Sequence, residues 1–210
     1  MEFNKEQVQT LQDIINSRRD VRGHSFLDKK ISKEDLEKVL LSAIHAPSVG
    51  YTQPWKFIVI DDEVIKKEIR KNFDIENEKA KKIFEHKEIY QELKLEGINE
   101  APINIAVFYE HQNEANIGMT SMDKMGEYSV VCAVQNMWLM ARALGIGLGW
   151  ISILDEKKVK QTLNAPKNTK LIAYLALGYV DKFYDEPELK TIKWKEEKAL
   201  DECVVTNRWE

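Results

Sequence analysis

The chain has 210 residues, of which 43% are hydrophobic and 31% charged, a balance that excludes both a disordered chain and a disulfide-built miniprotein. A compact monomer of 24.5 kDa exposes roughly 10,000 Å², so the length supports one sizeable core and one domain over residues 1–210. Lys and Arg number 31 against 35 Asp and Glu, a net charge of −4, which argues against nucleic acid as a partner.

The start, Met1 to Lys5, has no apolar stretch of the signal-peptide kind, and a cytoplasmic protein is expected. Asn4 with Gln7 makes a capping-box pattern, and Val8, Leu11, Ile14 and Ile15 form the apolar stripe of a first helix. It runs into Ser17, Arg18, Arg19, Asp20, Val21 and Arg22, after which Gly23 loosens the chain. Ser32 and Asp35 open a second helix bearing Leu36, Val39, Leu40, Ala43 and Ile44, and Pro47 stops it. Residues 48–54 are rich in breakers and read as a loop, and Trp55 to Ile60 as a buried strand. From Asp62 to about Gly97 the chain is highly charged. It predicts one or two solvated helices with a break near Asn72 to Asp74. The Lys/Glu run from Lys79 to Lys94 reads either as a solvated face or as a mobile lid.

Pro102 opens a strand over Ile103 to Phe108, and Glu110 to Gly126 is a polar loop. Glu127 to Leu144 is a helix apolar nearly all round, the pattern of a core helix, with Gly145 as its C-cap. Gln135, Asn136 and Arg142 interrupt this stretch, so it predicts no membrane span. A strand over Gly147 to Leu154, a short helix over Glu156 to Leu163 and a strand over Leu171 to Leu177 follow. Residues 181–210 are polar with Phe183, Tyr184, Trp194 and Trp209 scattered among them, which fits an arm that packs on another surface.

Several chemistries drop out. Cys132 and Cys203 sit in no CxxC pair and read as reduced thiols. His24, His45, His86 and His111 have no metal-ligand spacing, and no metal is expected. Neither Ser48 nor Ser152 lies in a GxSxG elbow, which disfavours a hydrolase. No glycine-rich phosphate loop follows the first strand, so Walker and GxGxxG nucleotide sites are absent from the sequence.

Three constellations remain. Arg18, Arg19 and Arg22 crowd three guanidiniums into five residues, suited to bidentate phosphate binding or to a solvated cluster at the negative end of a helix. Ala46 to Trp55, APSVGYTQPW, offers hydroxyls, an amide and backbone donors, for a polar pocket or for an ordinary helix-to-strand connection. Gly145, Gly147 and Gly149 leave one strand face bare, open to a flat ligand or to another backbone.

RRDVR, APSVGYTQPW and GLGWIS, in this order, resemble the flavin-dependent nitroreductase superfamily. The chain is more narrowly similar to its 5,6-dimethylbenzimidazole synthase branch. Asp20 stands where ordinary nitroreductases usually carry Ser, and SVGYTQPW is similar to that branch's SVGFSQPW. YQELKLEGINEAPINI from Tyr90, YSVVCAVQNMWLMARALGIGLGW from Tyr128, and Ser152 extend the resemblance, which runs from about Leu11 to Trp209. GMTSMDKMG at Gly118 to Gly126 departs from the branch's loop, and Lys66 to His86 match no motif of it.

The resemblance implies an α+β fold with a mixed, mainly antiparallel sheet flanked by helices. It implies a homodimer with exchanged C-terminal arms and two FMN sites shared between subunits. Arg18, Arg19 and Arg22, with Asp20 and Val21 between them, would hold the phosphate and ribityl region, and Arg208 would add a late phosphate contact. Pro47, Ser48 and Gln53 would come from the partner and line the ring, Gly149 would let the ring lie on the strand, and Leu95 would touch it from the covering segment. The implied reaction is O2-dependent fragmentation of reduced FMN, with Asp20 accepting a proton and Ser152 steering the flavin. Electrons would come from a separate flavin reductase or by reduction in place. An FMN nitroreductase or dehalogenase, and a non-catalytic FMN-binding protein, are the alternatives.

Overall fold

The computed structural model describes residues 2–93, 95–112 and 114–209; Lys94, the end of the Lys/Glu run, lies outside them. Four strands, β1 (Trp55–Ile60), β2 (Ile103–Glu110), β3 (Ile146–Ile151) and β4 (Thr169–Tyr179), form one sheet in the order β1-β2-β4-β3. All three ladders are antiparallel. The parallel element of the expected mixed sheet is one isolated bridge, Asp20 to Leu148.

Helices cover both faces of this sheet, which explains why its central strands are apolar throughout rather than alternating with polar residues. Along β2, Ile105, Val107 and Tyr109 point into one core. They meet Val130, Val134 and Met137 of α5 (Met125–Ala143) and Val39 and Ala43 of α2 (Lys33–Ile44). The intervening Ala106 and Phe108 point into a second core, as the two-residue period of a strand requires. There they meet Ile69 and Phe73 of α3 (Glu63–Ile83) and Val159 of α6 (Glu156–Thr162).

Helix starts follow the capping chemistry. Asn4 and Gln7 form the complete box at α1 (Lys5–Ser17), Ser32 Oγ accepts from Asp35 N at α2, and Asp62 and Asp155 cap α3 and α6. The expected break at Asn72 to Asp74 does not occur, and α3 is continuous. Asn72 exchanges two 3.0 Å hydrogen bonds with the Asp155 backbone, and Phe73 is 1% exposed. A buried stripe therefore holds the helix where its charged sequence reads as fully solvated. A short α4 (Glu88–Glu92) follows. β1 is also less buried than expected, because it lies at the sheet edge with Lys56 and Val59 open.

The surface is large for the mass. The chain exposes 14040 Å², about 4,000 Å² above the compact-monomer scaling. α1 buries none of its residues, and its stripe Val8, Leu11 and Ile15 stays open. α5 packs one side into the core but leaves Tyr128 and Val131 exposed, so within one chain it is a half-covered helix rather than the fully enclosed one expected. Beyond β4, the arm holds α7 (Glu188–Thr191) and α8 (Leu200–Cys203). Its first part lies on its own chain: Trp194 packs 5.7 Å from Phe84 and 6.1 Å from Tyr90. Leu200, Val204, Val205 and Trp209 are exposed.

Candidate functional site

Past Ser17 the chain leaves the helix and runs extended along the free edge of β3. Asp20 bridges Leu148, and Val21 N donates to Leu148 O at 3.1 Å. The glycines of β3 make this approach feasible. A Cβ on Gly149 would overlap the Val21 carbonyl oxygen, and one on Gly147 would lie 2.6 Å from a Val180 methyl and 2.9 Å from a Val21 methyl. The bare strand face therefore receives this chain's own backbone. At Gly149 the space a side chain would take holds the Val21 carbonyl.

Asp20 is the pivot of the run. Its Oδ1 accepts from Trp150 N at 2.9 Å and its Oδ2 pairs with Arg22 Nη2 at 2.5 Å. Burial pushes the Asp20 carboxyl above the usual carboxylate range, and Arg22 and the Trp150 amide oppose that rise. α5 supports the run: Arg18 stacks over the Trp138 ring at 4.5 Å, Trp138 Nε1 donates to Arg19 O, and Arg142 Nε donates to Ser17 O. Burial lowers the Arg18 guanidinium from its usual value while Asp20 offsets part of the change.

The guanidiniums face a cavity of 130 Å³ lined by Arg18, Arg19, Asp20, Arg22, Tyr184, Pro187, Glu188 and Leu189. Arg19 spends its Nη1 on the carbonyls of Asn16 and Arg18 and its Nη2 on Asp185 O. Arg22 Nη1 reaches Leu95 O at 3.4 Å. The Nε atoms of Arg19 and Arg22 are buried with no partner among the described residues. Two orphan donors beside three cations call for an anion. The volume suits an anionic group; organic ligand pockets run about 300–1,000 Å³.

The second constellation folds as a strained turn. Gly50, Tyr51 and Gln53 have φ of 55°, 55° and 47°, left-handed conformations that cost of order 1–3 kcal/mol each at non-glycine residues. The turn is over-determined by its bonds: Gln53 N donates to Ser48 Oγ, and Val49 N donates to Ser129 Oγ at the first turns of α5. Ile117 O presses on Gly50, where a Cβ would meet it at 2.9 Å. Pro47 and Gln53 are exposed and Ser48 is half-buried. Ser129 and Trp138 anchor the two constellations nine residues apart on α5, about 14 Å along the axis. One chain thus holds the turn and the arginine cavity at different ends of the helix.

Of the remaining sequence-based candidates, Leu95 touches the cluster through its carbonyl. Ser152 lies one residue past β3, exposed, two residues from the Trp150 amide that binds Asp20. Arg208 is exposed near the end of the arm and does not line the cavity. Trp138, Arg142, Tyr184 and Glu188 belong to the site but carry no chemistry-specific signal in sequence. The i, i+4 spacing of Trp138 and Arg142 was the one available hint that both face the Arg18–Arg22 run.

The nitroreductase family profile matches residues 15–179. The chain is 36% identical over 189 residues to the 5,6-dimethylbenzimidazole synthase of Rhodospirillum rubrum, covering 88% of this chain and 89% of that one. Among solved structures it is similar to an oxidised iodotyrosine deiodinase bound to FMN and 3-iodo-L-tyrosine, with TM-score 0.71, 25% identity, and coverage of 95% and 100%. It also matches a BluB-like flavoprotein from Clostridium difficile at TM-score 0.70 and 22% identity, covering 94% and 99%.

Proposed function

The chain belongs to the nitroreductase family, and from that premise we propose that it is a 5,6-dimethylbenzimidazole synthase. It fragments reduced FMN with O2 into 5,6-dimethylbenzimidazole, the lower ligand of vitamin B12, and a four-carbon sugar phosphate, with the pyrimidine portion of the isoalloxazine leaving as a third fragment. The observation that carries this reading is Asp20, a carboxyl held between Trp150 N and Arg22 beside an arginine-lined cavity. In the resemblance, ordinary members of the family usually carry Ser there and still bind flavin.

Bound flavin supplies the oxygen chemistry, and the protein orients it and excludes side reactions. Arg18, Arg19 and Arg22 hold the phosphate, with the orphan Nε groups of Arg19 and Arg22 as ready donors. Val21 fixes this run on β3 and the Leu95 carbonyl accepts from Arg22. Asp20 takes a proton from the ribityl chain, a task favoured by a carboxyl whose basicity burial has raised. Ser152, two residues beyond the Asp20-bound amide, steers the flavin edge.

The working form is a homodimer. The surplus of about 4,000 Å² per chain, about 8,000 Å² for two, is above the 2,000–5,000 Å² total of ordinary obligate interfaces and leaves room for exchanged arms as well, and the open stripes of α1 and α5 are apolar. The distance between turn and cavity along α5 supports a shared site, with Pro47, Ser48 and Gln53 coming from the partner to line the ring. The exposed end of the arm, with Leu200, Val204, Val205 and Trp209, crosses to the partner and brings Arg208 with it. The unit is one domain of 210 residues. No described helix is long and apolar enough to cross a membrane, and the enzyme works in the cytoplasm on FMN reduced by a separate flavin reductase or in place.

The test is chromatography of products after aerobic incubation with reduced FMN. Wild type should form 5,6-dimethylbenzimidazole, and Asp20→Asn should oxidise the flavin while forming little or none. Wild-type product from Asp20→Asn removes the proton-accepting role. The likeness to the FMN-bound deiodinase supports a second reading, reductive chemistry on an exchangeable substrate, for which flavin would be recovered intact from every turnover.

A further inference from the structure

The arginine cavity is walled on one side by the chain beyond β4. Arg142 stacks over the Phe183 ring at 4.0 Å, Tyr184 Oη lies 3.1 Å from His24 Nε2, and Arg19 donates to Asp185 O. Three anchors on consecutive residues fix this strap. Pro187 then opens α7 and sets Glu188 as its first residue, on the cavity wall.

Glu188 has no ion-pair partner there among the described residues. Among the described residues, the cavity's one ion pair is Asp20 with Arg22. The nearby Lys190 pairs with Glu186 and Glu197 instead. Glu188 is close enough to Asp20 to raise its carboxyl further. The fold therefore brings an uncompensated carboxylate into a cavity whose other groups select an anion. Among the described residues no hydrogen bond to its side chain explains it. Three guanidiniums against two carboxylates leave a net charge near +1, whereas a phosphate monoester carries about −1.5 to −2 at neutral pH.

We propose that Glu188 is a specificity-determining counterweight that weakens the cavity's hold on a phosphate monoester, so that the phosphate-bearing product is released. This rests on the proposed reaction, in which the phosphate stays with the four-carbon fragment and product and substrate use the same cavity. Three guanidiniums without the counterweight would bind both tightly, and release would limit turnover.

The test compares FMN and riboflavin affinities of the full-length protein freed of flavin by fluorescence titration, for wild type, Glu188→Gln, Glu188→Ala and Glu188→Asp. Removing one charge across a solvent-reachable cavity should tighten FMN binding about three- to tenfold. Riboflavin, which lacks the phosphate, should bind as before. Glu188→Asp should restore wild-type behaviour, and four-carbon sugar phosphate added as a competitor should gain affinity in parallel with FMN. Unchanged or weaker FMN binding in both neutral variants overturns the proposal, as does an equal change for riboflavin. If wild type binds FMN and riboflavin equally, the phosphate assignment of the cavity fails with it. If FMN binds through its phosphate but the neutral variants behave as wild type, only the role of Glu188 falls.

Discussion

Gly149→Ala probes the arrangement that positions every arginine of the site. The added Cβ would overlap the Val21 carbonyl oxygen, a backbone atom that no rotamer change can move aside. Either β3 or the Arg18–Arg22 run must shift. The run is the weaker partner, tied to β3 by Val21 N to Leu148 O and by Trp150 N to the Asp20 carboxylate. Overpacking of this kind costs about 1–3 kcal/mol, which for a chain of this size lowers Tm by about 2–4 °C per kcal/mol. Displacing one charged hydrogen bond to the phosphate, about 1.5–3 kcal/mol, weakens FMN binding about 10- to 150-fold. Gly145→Ala is the control. Gly145 has φ 71° and open space around its Cβ position, so this variant should lose about 1 kcal/mol of stability through backbone strain and keep its FMN affinity. The assays are flavin titration and thermal unfolding of both variants. Wild-type affinity and Tm in Gly149→Ala would refute the seating of the run on β3.

Tyr174 is fully buried with a hydroxyl that has no partner among the described residues, so Tyr174→Phe should be neutral or stabilising by about 1 kcal/mol in urea unfolding. Burial raises the Tyr174 phenol well above its usual value of 10.0. The unfolded chain therefore releases this proton first, wild-type stability falls as pH rises past that value, and the Phe variant should lack that component of the fall. The raised Asp20 carboxyl gives the same sign at acid pH. Its stabilising contribution is complete below the unfolded carboxylate value and declines as pH rises through the folded one. The stability of wild type relative to Asp20→Asn should thus decrease between acid and neutral pH in paired urea titrations. Removing residues 195–210 should yield protein that is monomeric or insoluble and poor in flavin by size-exclusion chromatography with absorbance. A soluble FMN-binding dimer from that truncation would contradict arm exchange.

Local signals were legible where one element decides them alone. The capping box at Asn4, the Pro47 stop and the Gly145 cap depend on a few neighbouring residues, and the structure has all three. The Arg18–Arg22 cluster was visible as a crowd of like charges that demands anions. The reading failed where tertiary context chooses between local options. Asn72 looked like a helix breaker because its partner, the Asp155 backbone, lies 83 positions away. The glycines of β3 signalled a close approach without saying by what, and Val21 proved to be the occupant. Tyr184 and Glu188 were invisible as site residues because the arm has no periodicity to give its direction away. Only the folded chain shows that it returns over the arginine cavity.

Consumption of the flavin by the protein can be measured directly. Pre-reduced FMN should be mixed with stoichiometric protein in air, and FMN and 5,6-dimethylbenzimidazole quantified by mass spectrometry over time. FMN should disappear and the benzimidazole appear in equal amount, with the phosphate recovered on a four-carbon sugar. Quantitative recovery of oxidised FMN with no benzimidazole would contradict flavin consumption.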